Sequence, residues 1–314
     1  MAHIYIYSPS GAVRDKAGFR RAIRRLVSLG HEVEVDPDAL SSHQRFAGDD
    51  DTRLTALSRA CASQADVALI SRGGYGLTRL LDQINYETLA DAVNKGTRFV
   101  GMSDFTALQN ALLAKTGATT WSGPALIEGF GSEEEPDEIM QACFGDLISG
   151  QGEGAGWRQA YERQKSGVTD FNDSEPDERS IEGAVVWGGN LTVLTSMLAT
   201  PYFPAVQGGI LFLEDVAEHP YRVERMLTQL LLSGVLASQR AILLGQFTDY
   251  KLTPHDKGYK MQTVVAWLRG KLSIPVVTNL PCGHVRTKVL LPVGAKADLA
   301  LSGRDAMLFW GHDV

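Results

Sequence analysis

Three side chains, far apart in this 314-residue sequence, have the chemistry for acyl transfer: a serine, a carboxylate and a histidine. Ser103 sits in Gly101-Met-Ser-Asp104. The short apolar run Phe99-Val100 breaks there, and a helical pattern starts at Asp104, with Phe105, Leu108, Leu112 and Leu113 on one face. A serine on a sharp strand-to-helix turn holds its Oγ away from the backbone. The next N–H, that of Asp104, lies at a helix N-terminus, where negative charge is favoured. A serine hydrolase needs that pairing of exposed nucleophile and oxyanion donor. On this stretch alone the simpler reading is that Ser103 is only the N-cap of the helix.

The carboxylates are Glu214 and Asp215, at the end of the apolar run Gly209-Ile-Leu-Phe-Leu213. They stand at the rim of a sheet, or Asp215 or Glu218 caps the helix that begins near Pro220, with His219 beside it. His284 follows Gly283 after the strand Pro275-Val-Val277, and His255 and His312 lie in polar loop contexts. A glycine-rich loop, Arg72-Gly-Gly-Tyr-Gly76, follows another apolar strand. It has neither dinucleotide-fingerprint nor P-loop spacing. Its glycines permit close backbone approach, so Gly73 or Gly74 can supply a second oxyanion N–H; a tight turn accounts for them as well.

The elements that must position these groups alternate. Strands at Ile4–Tyr7, His31–Val35, Asp66–Ile70 and Phe99–Val100 are separated by helices at Arg14–Leu29 and Asp50–Ala62, and a further helix runs through Leu80 and Leu81. This order predicts a parallel sheet covered on both faces, with chemistry beyond the carboxyl ends of its strands. Both the Arg72–Gly76 loop and Ser103 fall there. Gly- and acid-rich sequence from 149 to 182 reads as a connection with short exposed strands. A second α/β unit follows: strands at Gly183–Trp187, Gly209–Leu213, Arg240–Leu244 and Pro275–Val277, and helices after Asn190, at Tyr221–Leu232 and at Gln262–Leu272. Lys288–Leu301 reads as paired strands. The organisation expected is an N-terminal α/β domain over 1–150, a connection over 151–182 and a C-terminal domain over 183–314.

Composition narrows the function classes. Hydrophobic content of 44% and charged content of 21% are ordinary for a globular protein. A net charge of -7 gives no support for binding nucleic acid or an anionic membrane. No run is apolar enough to span a bilayer, and the first residues lack a secretory pattern. Cys61, Cys143 and Cys282 lack metal-site spacing and read as reduced thiols of a cytoplasmic protein.

Taken together, the motifs resemble the LD-carboxypeptidase family of serine peptidases, the muramoyltetrapeptide carboxypeptidases. The likeness runs through Ser8-Pro-Ser-Gly11, Arg45-Phe-Ala-Gly48, Arg72-Gly-Gly-Tyr-Gly76, Gly101-Met-Ser-Asp-Phe-Thr106, Ser122-Gly-Pro124 and Trp187-Gly-Gly-Asn-Leu191. It continues through Leu213-Glu-Asp215, His219-Pro-Tyr-Arg-Val-Glu-Arg-Met-Leu227 and Gly283-His284. The resemblance implies a Rossmann-like or flavodoxin-like N-terminal domain, a smaller β-rich C-terminal α/β domain and a cleft between them. It puts the nucleophile on Ser103, the triad carboxylate on Glu214 and the histidine on His284, with no metal or other cofactor. It implies a cytoplasmic homodimer that removes the terminal D-alanine of murein tetrapeptides during peptidoglycan recycling. Met102 departs from the aromatic or His expected there in many relatives. The Ser, Glu, His order matches that of α/β-hydrolases, but Gly-Met-Ser-Asp-Phe is not their nucleophile elbow, which points to convergence. A carboxypeptidase must also grip a free carboxylate, for which Arg72, Arg222 and Arg225 are candidates, and Tyr75 lies in the same loop as Arg72. The alternative within the family is a microcin C self-immunity type hydrolase of peptidyl or aminoacyl nucleotide analogues. Rivals of other classes are a nucleotide-binding module using Arg72–Gly76 and an inactive murein-peptide binder.

Overall fold

The computed structural model describes residues 1–160 and 178–311. Most of the acidic run before Glu178, and His312, lie outside the described residues.

The first part of the chain alternates as expected. Its strands are β1 (His3–Tyr7), β2 (Glu32–Val35), β3 (Val67–Ile70), β4 (Arg98–Gly101) and β5 (Thr120–Ser122). Between and after them come α1 (Lys16–Ser28), α2 (Asp50–Ala62), α3 (Tyr86–Asn94), α4 (Thr106–Thr116), α5 (Leu126–Phe130) and α6 (Glu138–Ser149). Then follow β6 (Gly154–Arg158), β7 (Arg179–Asn190), α7 (Leu191–Ser196), β8 (Ile210–Val216), α8 (Pro220–Leu232) and β9 (Ala241–Thr248). The chain ends with α9 (Met261–Arg269), β10 (Val276–Val277), β11 (Leu291–Val293), β12 (Lys296–Ser302) and β13 (Asp305–Phe309). Among the described residues no helix is long and apolar enough to cross a membrane.

The first sheet has the order β11-β5-β4-β3-β1-β2. Its five strands from β1 to β5 are parallel and form the flavodoxin-like 2-1-3-4-5 arrangement. β3 is buried along its whole length, as a strand covered on both faces requires. The order reverses between β1 and β3, and there the Gly11 N–H donates to Gly73 O at 3.3 Å, joining the two loops that leave these strands. The second sheet has the order β10-β9-β8-β7-β12-β13-β6, parallel from β7 to β10 and antiparallel beyond.

Several local expectations are corrected. Lys288–Leu301 does not form one set of paired strands. β11 leaves it to pair antiparallel with β5 in the first sheet, while β12 pairs with β13 and β7. Gly294, at φ 108°, provides the turn between the two sheets. The helix expected through Leu80 and Leu81 is only a 3-10 turn at Leu77–Arg79, whose Gly76 O accepts both the Arg79 N–H at 3.3 Å and the buried Arg53 guanidinium at 2.9 Å. The cap of α8 is His219 itself, whose Nδ1 accepts from the Tyr221 N–H; Asp215 is used elsewhere. Finally, α4 is not amphipathic: Thr106 to Leu112 are all buried, since the helix packs against α3, α7 and β7 together.

Candidate active site

The turn after β4 is strained backbone. Met102 is extended (φ -147°, ψ -176°), and Ser103 then swings to φ 63°. Left-handed backbone costs a residue with a Cβ about 1–2 kcal/mol, and such positions persist only where the surroundings enforce them. The chain makes a 3-10 turn over Ser103–Phe105 before α4 starts at Thr106. Ser103 is therefore not the N-cap: Met102 and Phe105 occupy the two cap positions, and neither makes a side-chain cap bond.

Tight contacts enforce the turn. A Cβ on Gly73 would stand 2.6 Å from Ser103 Cβ and 2.8 Å from its Oγ, so the β3 loop approaches only because that residue is glycine. The Asp104 carboxylate is buried and its Oδ2 accepts from the Leu77 N–H at 2.9 Å, pinning the turn after β4 to the turn after β3. Burial raises the Asp104 pKa. The amides of Gly73 and Gly74 donate to no described group, and that of Asp104 lies in a first turn, where the helix offers no acceptor.

The opposite wall comes from the second sheet. Glu214 lies within β8, and His284 lies in the loop after β10. His284 Nδ1 is 2.9 Å from Glu214 Oε2. A carboxylate accepts only, so Nδ1 carries the proton and Nε2 is left as a base. Burial presses His284 towards its neutral form, but the hydrogen bond and charge of Glu214 outweigh it, and the net pKa is raised. Close packing again needs glycine: a Cβ on Gly283, at φ 122°, would meet Glu214 Oε2 at 2.9 Å.

Glu214 is held from its other oxygen. Asn190 Nδ2 donates to Glu214 Oε1 at 3.1 Å and to Asp215 Oδ1 at 3.0 Å. Asp215 also accepts from the Thr192 N–H and hydroxyl, at 2.9 and 2.7 Å. Burial raises the Asp215 pKa against the bond from Thr192, and the neighbouring Glu214 charge adds to the rise. The Asn190 N–H donates to Thr106 Oγ1 at 2.9 Å, and Asn110 Nδ2 to Gly188 O at 2.8 Å. Thus α4, which follows the strained serine, is bonded directly to the strand end that holds the carboxylate.

One cavity collects these groups: Ser103, Asn190, Glu214 and Gly283 all line it, with Met102 and Lys288. Ser103 Oγ makes no hydrogen bond with a described group; such contacts are commonly loose without substrate. Among the candidate substrate residues, Arg72 is half-buried and its Nη1 donates to Ala12 O at 3.3 Å. Tyr75 is 44% exposed, 5.9 Å from the Phe46 ring, with Arg45 over its face. Arg222 Nε bonds Glu218 Oε2 at 2.7 Å and faces a different cavity, and Arg225 is exposed on α8. Asn190 and Lys288, which line this cavity, are not among the candidates the sequence marks. In the sequence Asn190 reads as part of a turn and Lys288 as the start of a strand. The cysteines are free thiols, and burial pushes that of Cys282, in the cavity wall, up to about 12.

Comparison with known proteins places the two parts of the chain in one family. Residues 4–123 match the LD-carboxypeptidase N-terminal domain and residues 183–299 the LD-carboxypeptidase C-terminal domain. The chain belongs to the LD-carboxypeptidase family. It is thus a serine-type carboxypeptidase by family. A crystal structure of muramoyltetrapeptide carboxypeptidase from Oxalobacter formigenes superposes with TM-score 0.84 at 38% identity, covering 98% of each chain. The murein tetrapeptide carboxypeptidase of Pseudomonas aeruginosa is 28% identical over 300 residues, 94% of this chain and 92% of that one. The microcin C7 self-immunity protein of Escherichia coli is 29% identical over 240 residues, 71% of this chain and 68% of that protein.

Proposed function

We propose that this chain cleaves the terminal D-alanine from murein tetrapeptides in cytoplasmic peptidoglycan recycling, using Ser103, Glu214 and His284. One observation carries the reading: a serine forced to positive φ shares a cavity with Glu214, which holds His284 by Nδ1. Relatives named for murein peptides support the substrate.

Ser103 Oγ attacks the scissile carbonyl while His284 Nε2 takes its proton. Glu214 keeps the imidazole oriented and stabilises its charged form. The amides of Asp104 and of Gly73 or Gly74 bind the oxyanion; one such donor is worth about 3–4 kcal/mol. His284 returns the proton to the leaving amine, and water then releases the shortened peptide from Ser103. We read 1–150 and 183–314 as the two domains across the cleft, joined by 151–182, and the assembly as a homodimer.

The test is incubation of the parent protein and Ser103→Ala with free tetrapeptide, followed by mass spectrometry. D-alanine release by the parent alone is expected. Equal release by both would remove Ser103 from its role, and none by either would sink the substrate. In that event peptidyl and aminoacyl nucleotide analogues are next, as the microcin self-immunity relative suggests.

A further inference from the structure

Lys288 is a buried cation in the cavity wall. It is 3% exposed, yet among the described residues its ammonium is bonded only to the thioether of Met102, at 3.6 Å. Sulfur is a weak acceptor, and Lys Nζ has three protons to donate. Burying a cation without an oxygen partner is unfavourable, so such a group is kept where an anion arrives from outside. Lys288 lines the same cavity as Ser103 and Glu214.

Its chain position adds a constraint. Lys288 follows His284 by four residues on the stretch leading into β11. In the reaction proposed above, His284 protonates the amine of the departing residue. In an α-amino acid that amine and the carboxylate share one carbon, so the carboxylate must lie close to the base. The arginines offered by the sequence fit less well: Arg222 is paired with Glu218 outside this cavity, and Arg72 is engaged by Ala12 O. We propose that Lys288 binds the C-terminal carboxylate of the substrate and so makes the enzyme a carboxypeptidase. This rests on the reading of Ser103 and His284 as the reacting pair.

Burial pulls Lys288 below the ordinary lysine value, opposed by the charges of Glu128, Glu214 and Asp137 and by Cys282. None of these groups is a hydrogen-bond partner of the ammonium among the described residues. Met102, the departure noted in the sequence, provides the soft contact that leaves the ammonium open to a stronger acceptor.

The test compares two peptides, the tetrapeptide acid and the same peptide ending in D-alaninamide, on the parent, Lys288→Met and Lys288→Arg. The parent prefers the acid. Lys288→Met loses about 100-fold in kcat/KM on the acid, mostly in KM, and changes little on the amide, so the preference collapses. Lys288→Arg retains part of it. Equal loss on both peptides would make Lys288 a positioning residue and overturn the proposal, as would an unchanged ratio in Lys288→Met. Should Lys288→Met fail to fold, Lys288→Arg and the parent decide: a parent that cleaves the amide as well as the acid refutes carboxylate recognition. A parent inactive on both peptides is the separate failure of the murein reading.

Discussion

Ser103 and Glu214 line one cavity, and Glu214 bonds His284, but serine and pair are held by opposite means. Ser103 is held by backbone: a left-handed φ, a glycine that lets a loop touch it, and a buried aspartate that closes the turn. His284 and Glu214 are held by side chains, through a buried network from Asn190 to Asp215, Thr192 and Thr106. Strain places an atom rigidly but stores energy. A hydrogen-bonded network is strong only while every member is present.

The sharpest way to break the side-chain half is Glu214→Gln. The fold should survive, but kcat should fall by about 10³–10⁴-fold, as when the orienting carboxylate of a triad is neutralised. The pH profile gives a second readout. The base must be neutral, and Glu214 raises the His284 pKa, so the acid limb of the parent lies above that of an ordinary histidine. Glu214→Gln should move that limb to lower pH. The raised pKa also adds folding stability that is complete below the unfolded histidine value and disappears as pH rises through the folded one. Melting curves across that window should show this contribution shrink in Glu214→Gln.

Gly73→Ala attacks the backbone half. Its new methyl would sit within 3 Å of Ser103 Cβ and Oγ. Misplacing a reacting atom by about 1 Å costs about 100-fold in rate, so kcat should fall that far with the pH profile unmoved. A shifted profile would mean that the two halves are not independent. Asn190→Ala should cost about tenfold in kcat and about 1–3 kcal/mol in stability, because it leaves Glu214 and Asp215 without a shared donor; chemical denaturation and steady-state kinetics measure both.

The smallest effect tests strain itself. Ser103→Gly and Ser103→Ala should both be inactive, but the glycine variant should be more stable by about 1 kcal/mol, since only it is at ease at φ 63°. Equal melting temperatures would show that the turn stores no strain.

Much of this protein could be read from its residues one stretch at a time. The apolar runs at β1, β3 and β4 and the helix Asp50–Ala62 announce themselves because burial and periodicity are local properties. Ser103 follows β4, Glu214 lies near the end of β8 and His284 in the loop after β10, on the side where a parallel sheet builds its sites, and their ordered motifs point to the family. The pairing of β11 with β5 was not legible, because three apolar residues fit either sheet and only long-range packing selects one. Nor were α3, β5, α5 and α6 marked out by periodicity, and α4 read as amphipathic although its polar Thr106, Gln109 and Asn110 are buried. Sequence alone thus determined the alternation of elements and the residue types that can react. Tertiary structure decided that Asn190 bonds Glu214 and that Lys288 is sealed against Met102 beside them. A side chain's partners depend on which distant segments burial brings together, and local patterning carries no record of that.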